Sequence, residues 1–217
     1  MKILALETAT EALSVAILID DTVHAHHEVA PRRHGELLLP TVDQLLGAAG
    51  VALSELDAIA FGRGPGAFTG VRIAVSAAQG LAYGAGLKVV PVSTLAALAQ
   101  DALNAGQSRV IAAIDARMGE VYAACYTADA DGLAELSGDE WLGPADAFRA
   151  PGGAWFGAGT GFGAYPDAFQ LELVGSDPSA LPNAAAVARL AARAVAAGAA
   201  IAPEHAMPVY LRDNVTG

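Results

Sequence analysis

Apolar and polar positions follow one another in blocks that change period along the chain. Residues 2–6 (KILAL) and 13–19 (LSVAILI) are apolar on both alternating faces, the pattern of strands buried within a sheet, and the polar stretch ETATEA joins them. Residues 22–29 continue as a more polar strand that places His24 and His26 on one face. After Pro31 the period changes to three and four. Leu38, Val42, Leu45 and Ala49 form the stripe of an amphipathic helix that stops at Gly50. Residues 58–61 predict a short strand. A second helix is expected from an N-cap at Thr69 to about Tyr83. Its stripe of Val71, Ala74, Val75, Ala78 and Ala82 is small enough for close helix packing. Residues 89–92 read as another strand, and Ser93 caps a helix carrying Leu95, Leu98, Ala102 and Leu103.

From Arg109 the opening pattern returns. RVIAAIDARMGEVYAACY has the layout of KILALETATEALSVAILI: an apolar strand, an acid, a short polar turn and a second strand. Glu7 and Asp115 occupy equivalent places. The repeat predicts a duplicated β-hairpin unit opening each of two lobes, residues 1–105 and 106–217. In the second lobe, residues 141–169 read as loop-rich. Residues 183–197 form an alanine-rich helix with Val187, Leu190, Ala194 and Val195 on its face and Gly198 as its stop. The tail MPVYLRD is apolar and aromatic and is expected to dock onto the body.

Composition narrows the function classes. The 217 residues are 54% hydrophobic and 16% charged, a globular chain long enough for a sizeable core. No apolar run approaches the roughly 20 residues that span a bilayer. Glu7 interrupts the first run too early for a signal-peptide core. The expected location is therefore the cytoplasm, with no membrane contact. Cys125 is the single cysteine, so there is no internal disulfide or cysteine metal cluster; in the strand-like run 120–126 it reads as a buried, inert thiol. Net charge is −11, and the basic residues are thinly scattered. Only Arg32-Arg33 and the Arg63/Arg72 pair approach a basic patch. A role on RNA then needs a partner to supply most phosphate contacts.

The candidate chemistry centres on residues 61–75, FGRGPGAFTGVRIAV, where Gly62, Gly64, Pro65, Gly66 and Gly70 precede a helix. Such a loop either presents N–H groups to an anion or lets two backbones approach closely. No Lys-Ser/Thr pair follows the glycines, and the spacing is not that of a dinucleotide fingerprint. A structural turn or interface is the favoured reading. A weak nucleotide or anion site would be built from Glu7, Gly64, Gly66, Thr69 and Asp115. Glu7 and Asp115 are suited either to magnesium or water coordination or, more simply, to capping turn N–H groups. The second glycine cluster, GAGTGFG at 157–163, reads as a solvent loop. His24, His26 and His27 lack converging ligands and suit a solvated edge strand, while His34 and His205 are isolated. There is no GxSxG elbow. Arg117 and Glu120 read as surface pairs across a tight turn. No metal and no cofactor are expected.

The stretches ILALETATEALSVAIL, RRHGELLLPTVDQLL, FGRGPGAFTGVRIAVSAAQGLAYG, PVSTLAALA, AAIDARMGEVYAA and PVYLR together resemble the bacterial TsaB (YeaZ) family. That family belongs to the actin-like, sugar-kinase and Hsp70 ATPase superfamily. The resemblance implies an α/β fold of two duplicated ribonuclease-H-like lobes, the second reduced. It implies a role in forming threonylcarbamoyladenosine beside the anticodon of tRNAs that read A-starting codons. In that family the transfer belongs to the paralogue TsaD, whose metal site uses a helical histidine pair. TsaB proteins serve as a non-catalytic platform for TsaD, the ATPase TsaE joins the complex, and tRNA is met only through it. They also form homodimers through the same surface. This chain has no His-x3-His. Glu7 stands where the family usually has Asp, Ala67 where it usually has Ser, and Gly35 where the motif usually reads His-Ser-Glu. The resemblance places the association surface on the helices of residues 37–46 and 69–83. Its core is Leu38, Leu39, Val42, Val71, Val75 and Ala78, with Arg72 and His34 as polar anchors, and the glycines give clearance for another subunit. The alternative is an actin-like ATPase or small-molecule kinase acting alone, with Glu7 and Asp115 around Mg-ATP.

Overall fold

The structure, a computed structural model, describes residues 1–212. In chain order the elements are β1 (Lys2–Glu7), β2 (Ala12–Ile19), β3 (Thr22–Val29), α1 (His34–Ala49), β4 (Ala58–Gly62), α2 (Phe68–Ala85), β5 (Lys88–Val92) and α3 (Thr94–Asn104). There follow β6 (Arg109–Arg117), β7 (Glu120–Ala128), β8 (Ala134–Leu136), β9 (Trp141–Pro144), β10 (Trp155–Ala158), α4 (Thr160–Ala164), β11 (Leu173–Asp177) and α5 (Ala184–Ala196). They form two compact units. The first holds residues 1–94 and 183–208; the second holds residues 95–182 and, of the described tail, 209–212. The helix at 184–196, which the sequence reading assigned to the second lobe, packs instead on β1, β2, β4 and β5 of the first sheet. Its stripe of Ala184, Val187, Ala188 and Ala191 is fully buried there.

The first unit has strand order β3-β2-β1-β4-β5. β1 to β3 run as an antiparallel meander, and β4 and β5 lie parallel to β1. Buried strands need apolar side chains on both faces, which is why β1, β2 and β4 carry them at nearly every position. The edge strand β3 alternates towards solvent, and His26 Nε2 lies 3.0 Å from Glu28 Oε1 on it. α1 ends at Gly50, whose left-handed backbone (φ 63°) turns its N–H back onto the carbonyls of Leu46 and Gly47. α2 begins earlier than expected. Ala67, and not Thr69, holds the N-cap position, and it offers no side-chain acceptor.

The second unit repeats the topology in the order β8-β7-β6-β10-β11, again a meander followed by two parallel strands. The fold is thus a duplicated ribonuclease-H-like α/β unit. The second copy is reduced: α4 spans 5 residues where α2 spans 18, and β9 with a single turn at Ala145–Ala147 replaces the counterpart of α1. Residues 141–169 are therefore more ordered than their composition indicates. The cluster at 157–163 is also no solvent loop, since Gly157 packs on the Phe162 ring and Gly159 and Gly161 on the Ala113 backbone. Among the described residues no helix is long and apolar enough to cross a membrane.

Candidate functional site

The loop between β4 and α2 closes on the turn between β1 and β2 through contacts that tolerate no Cβ. A side chain on Gly62 would overlap the Glu7 carboxylate, one on Gly66 would meet the Ala9 carbonyl, and one on Gly70 would meet the Thr8 carbonyl. Hydrogen bonds run through the same contact. Ala67 N–H donates to the Ala9 carbonyl at 2.7 Å, and Thr8 Oγ1 donates to the Gly70 carbonyl at 2.7 Å. Thr94 N–H donates to the Gly64 carbonyl at 3.0 Å. The glycines thus give clearance to the chain's own β1–β2 turn. The expected clearance for another subunit is not what they are used for in this fold.

Glu7 sits beneath this loop with no accessible surface. Its Oε1 accepts from Ala9 N–H at 2.7 Å and its Oε2 from Thr94 Oγ1 at 3.0 Å. Burial pushes its carboxyl up from the usual range to about 7, and the bonds from Ala9, Thr94 and Thr8 only partly oppose that rise. Asp115, the topological counterpart in β6, is also committed. It accepts from Arg117 N–H and Arg117 Nη1, each at 2.8 Å, and from the Tyr165 hydroxyl at 3.0 Å. The β6–β7 tip it braces has three successive left-handed residues, Arg117, Met118 and Gly119. Both carboxylates therefore do the simpler of the two jobs read for them, holding turn N–H groups. Among the described residues no group of three His, Cys, Asp or Glu side chains is placed to hold a metal ion.

The two helices expected to carry the association surface divide sharply by burial. Leu38, Val42, Val71, Val75 and Ala78 lie inside the first unit's own core, packed with Leu6, Leu13, Ile59 and Phe61. His34 is buried too, its Nε2 donating to the Ala12 carbonyl at 3.2 Å. A side chain enclosed by its own sheet is not presented to a second chain, so these six are core positions. Leu39 is 53% exposed and Tyr83 77% exposed, and Phe68 is exposed with the Arg72 guanidinium stacked 3.7 Å over its ring. Ser76, Gly80 and Gly84 follow on the solvent side of α2, and no atom lies within 4 Å of a Cβ built at either glycine. Leu39, Phe68 and Tyr83 are thus large apolar side chains, and Arg72 a cationic one, that α1 and α2 offer outward.

Three comparisons bear on this arrangement. A family model described as "TsaD: tRNA N6-adenosine threonylcarbamoyltransferase" matches residues 17–216. The Escherichia coli tRNA threonylcarbamoyladenosine biosynthesis protein TsaB is 47% identical, with 99% of this chain and 96% of that protein covered. Its Haemophilus influenzae counterpart is 40% identical over 100% of this chain and 95% of that protein. The solved structure of YeaZ from Pseudomonas aeruginosa superposes with a TM-score of 0.94 at 50% identity, covering 97% of this chain and 99% of that one.

The chain belongs to the TsaB (YeaZ) family.

Its departures from the TsaB pattern acquire physical meaning in the structure. Ala67, in the place of the usual Ser, leaves the α2 N-cap without a side-chain acceptor. Such a substitution costs about 1 kcal/mol in typical helices. Glu7, in place of the usual Asp, has the extra methylene that carries its carboxylate across to Gly62 and Thr94. Sequence reading missed Thr94, Thr8 and Tyr165, and within the tail it expected to dock it did not single out Arg212. The last donates to the Ala116 carbonyl and pairs with Glu120, which docks the tail on the β6–β7 tip. Asp213, the final residue of the expected docking tail, lies outside the described residues. No periodicity marks such partners, because each acts across a long stretch of chain.

Proposed function

We propose that this chain acts in the biosynthesis of threonylcarbamoyladenosine in tRNA, as a non-catalytic platform. In this reading a TsaD-type transferase docks on the outward faces of α1 and α2, and a TsaE-type ATPase joins the assembly. The chain also pairs with itself through that face and meets tRNA only through the complex, in the cytoplasm. The observation that carries the reading is the 47% identity across 99% of the chain to a protein named for this biosynthesis.

Two features of the site support the platform role over an independent ATPase. Glu7 has no surface with which to meet a magnesium ion, and the glycine loop is filled by the chain's own Thr8–Ala9 backbone. The net charge of −11 supports a partner-mediated route to RNA. The docking residues are now Leu39, Phe68, Arg72 and Tyr83. The test is reconstitution of the transfer with TsaD, TsaE and threonylcarbamoyl-adenylate, with and without this chain. Product that depends on the chain is expected, and equal product in both reactions overturns the proposal.

A further inference from the structure

We infer that Glu7 is a proton-sensitive latch that governs closure of the glycine loop and so positions the first turn of α2. The geometry carries the inference. One fully buried carboxyl bonds to the β1–β2 turn through Ala9 and to the start of α3 through Thr94, and it fills the space that Gly62 leaves open. The β1–β2 turn in turn holds the α2 entry, through Ala9 to Ala67 and Thr8 to Gly70. Opening the loop at Gly62 removes the cover from Glu7 and admits water to it.

A carboxyl that is sealed when the loop is closed and hydrated when it is open binds its proton more tightly in the closed state. The rise of the buried group to about 7 agrees with this. Closure is therefore proton-linked. The latch is tightest where Glu7 is protonated and loosens as pH rises, until the buried group has ionised. The Thr94 hydroxyl suits both states, since it donates to the carboxylate and by rotation accepts from the carboxylic acid. β2 and β4 carry no charged or titratable side chain. Glu11 on the β1–β2 turn, Arg72 and Tyr83 on α2, and Arg189 and Arg193 on α5 are exposed, Arg63 on the loop is half-buried, and the first charged side chain of α3 is Asp101, two turns beyond Thr94. The latch lies under the turn bearing Phe68 and Arg72, so its state bears on the docking face, a consequence that rests on the function proposed above.

The test is amide hydrogen exchange on the full chain alone, which keeps its failure separate from any failure of the docking reading. The Ala67 N–H reports the latch, and the amides of β7 in the other unit serve as reference. After correction for intrinsic base catalysis, protection at Ala67 is expected to fall about tenfold per pH unit between pH 5 and 7, the slope for one proton, and then to level off. The β7 amides are expected to hold their protection. Glu7→Gln keeps an acceptor for Ala9 and a donor for Thr94, and its Ala67 profile is expected to be flat. Thr94→Val removes a donor to the ionised form and is expected to move the levelling point to higher pH. A flat wild-type profile, an unchanged slope in Glu7→Gln, or an equal fall in β7 overturns the latch.

Discussion

Glu7 and Gly62 share one space: the carboxylate of the first stands where a Cβ on the second would have to be. The pair explains why β4 ends in glycine, and it ties the N-terminal strand to the segment that leads into α2. Gly62→Ala is expected to destabilise the protein by about 1–3 kcal/mol, the usual cost of overpacking a filled core. Denaturant unfolding measures this. Gly70→Ala, which runs into the Thr8 backbone, is expected to be at least as damaging.

Gly80 gives the opposite expectation. It lies inside α2 with open space around its missing Cβ. Gly80→Ala should stabilise the isolated chain by up to about 1 kcal/mol through helix propensity. If the solvent face of α2 docks a partner, a bulkier Gly80→Trp weakens association while leaving the fold intact. Thermal unfolding and binding measured on the same samples separate the two effects.

Stability should also depend on pH through Glu7. Its folded value of about 7 lies above the 4.5 of an ordinary glutamate carboxyl, so between these values the folded state holds a proton that the unfolded state releases. The contribution is fully present below about pH 4.5 and is lost as pH rises through about 7, on the order of 3 kcal/mol in all. Glu7→Gln should therefore raise the midpoint of thermal unfolding more at pH 8 than at pH 5. An equal effect at both pH values contradicts the assignment.

The division of α1 and α2 into core and surface makes a further prediction. Val75→Glu places a charge in the first unit's core and should reduce soluble folded protein, so it does not probe docking. Leu39→Asp and Tyr83→Glu change exposed positions and should leave unfolding within about 0.5 kcal/mol of wild type. Each should weaken partner binding about tenfold or more if these side chains anchor the contact. Titration calorimetry and circular dichroism together check this.

Cys125 offers an internal reporter. Its side chain is buried and its thiol is pushed up to about 11, chiefly by desolvation. Thiol reagents at neutral pH should label it only as fast as the second unit opens, and labelling should accelerate in step with denaturant unfolding.

Much of the fold was legible because it is written in period and punctuation. The two-faced apolar runs at 2–6 and 13–19, the stripe ended by Gly50 and the repeat begun at Arg109 all became the expected elements. Burial of the α2 stripe was legible as well, but not what it is buried against. A small apolar face looks the same whether its partner is its own sheet or another chain, and Val71, Val75 and Ala78 face their own core. The return of α5 to the first sheet was hidden for a related reason, since an amphipathic stripe does not name the surface it covers. The short strands β8, β9 and β11 escaped because glycine, proline and charge interrupt them. The use of Gly62, Gly66 and Gly70 depends on contacts with residues 7–9, far away along the chain, and no local pattern records such contacts.

We propose that this chain serves tRNA threonylcarbamoylation as a docking platform and not as an enzyme acting alone. The most direct measurement is reconstituted transfer to tRNA by TsaD and TsaE with wild-type chain, with Tyr83→Glu, and with no chain. Product is expected only with wild type, and little or none with folded Tyr83→Glu or without the chain. Full product without the chain, or full product with Tyr83→Glu and Leu39→Asp combined, contradicts it.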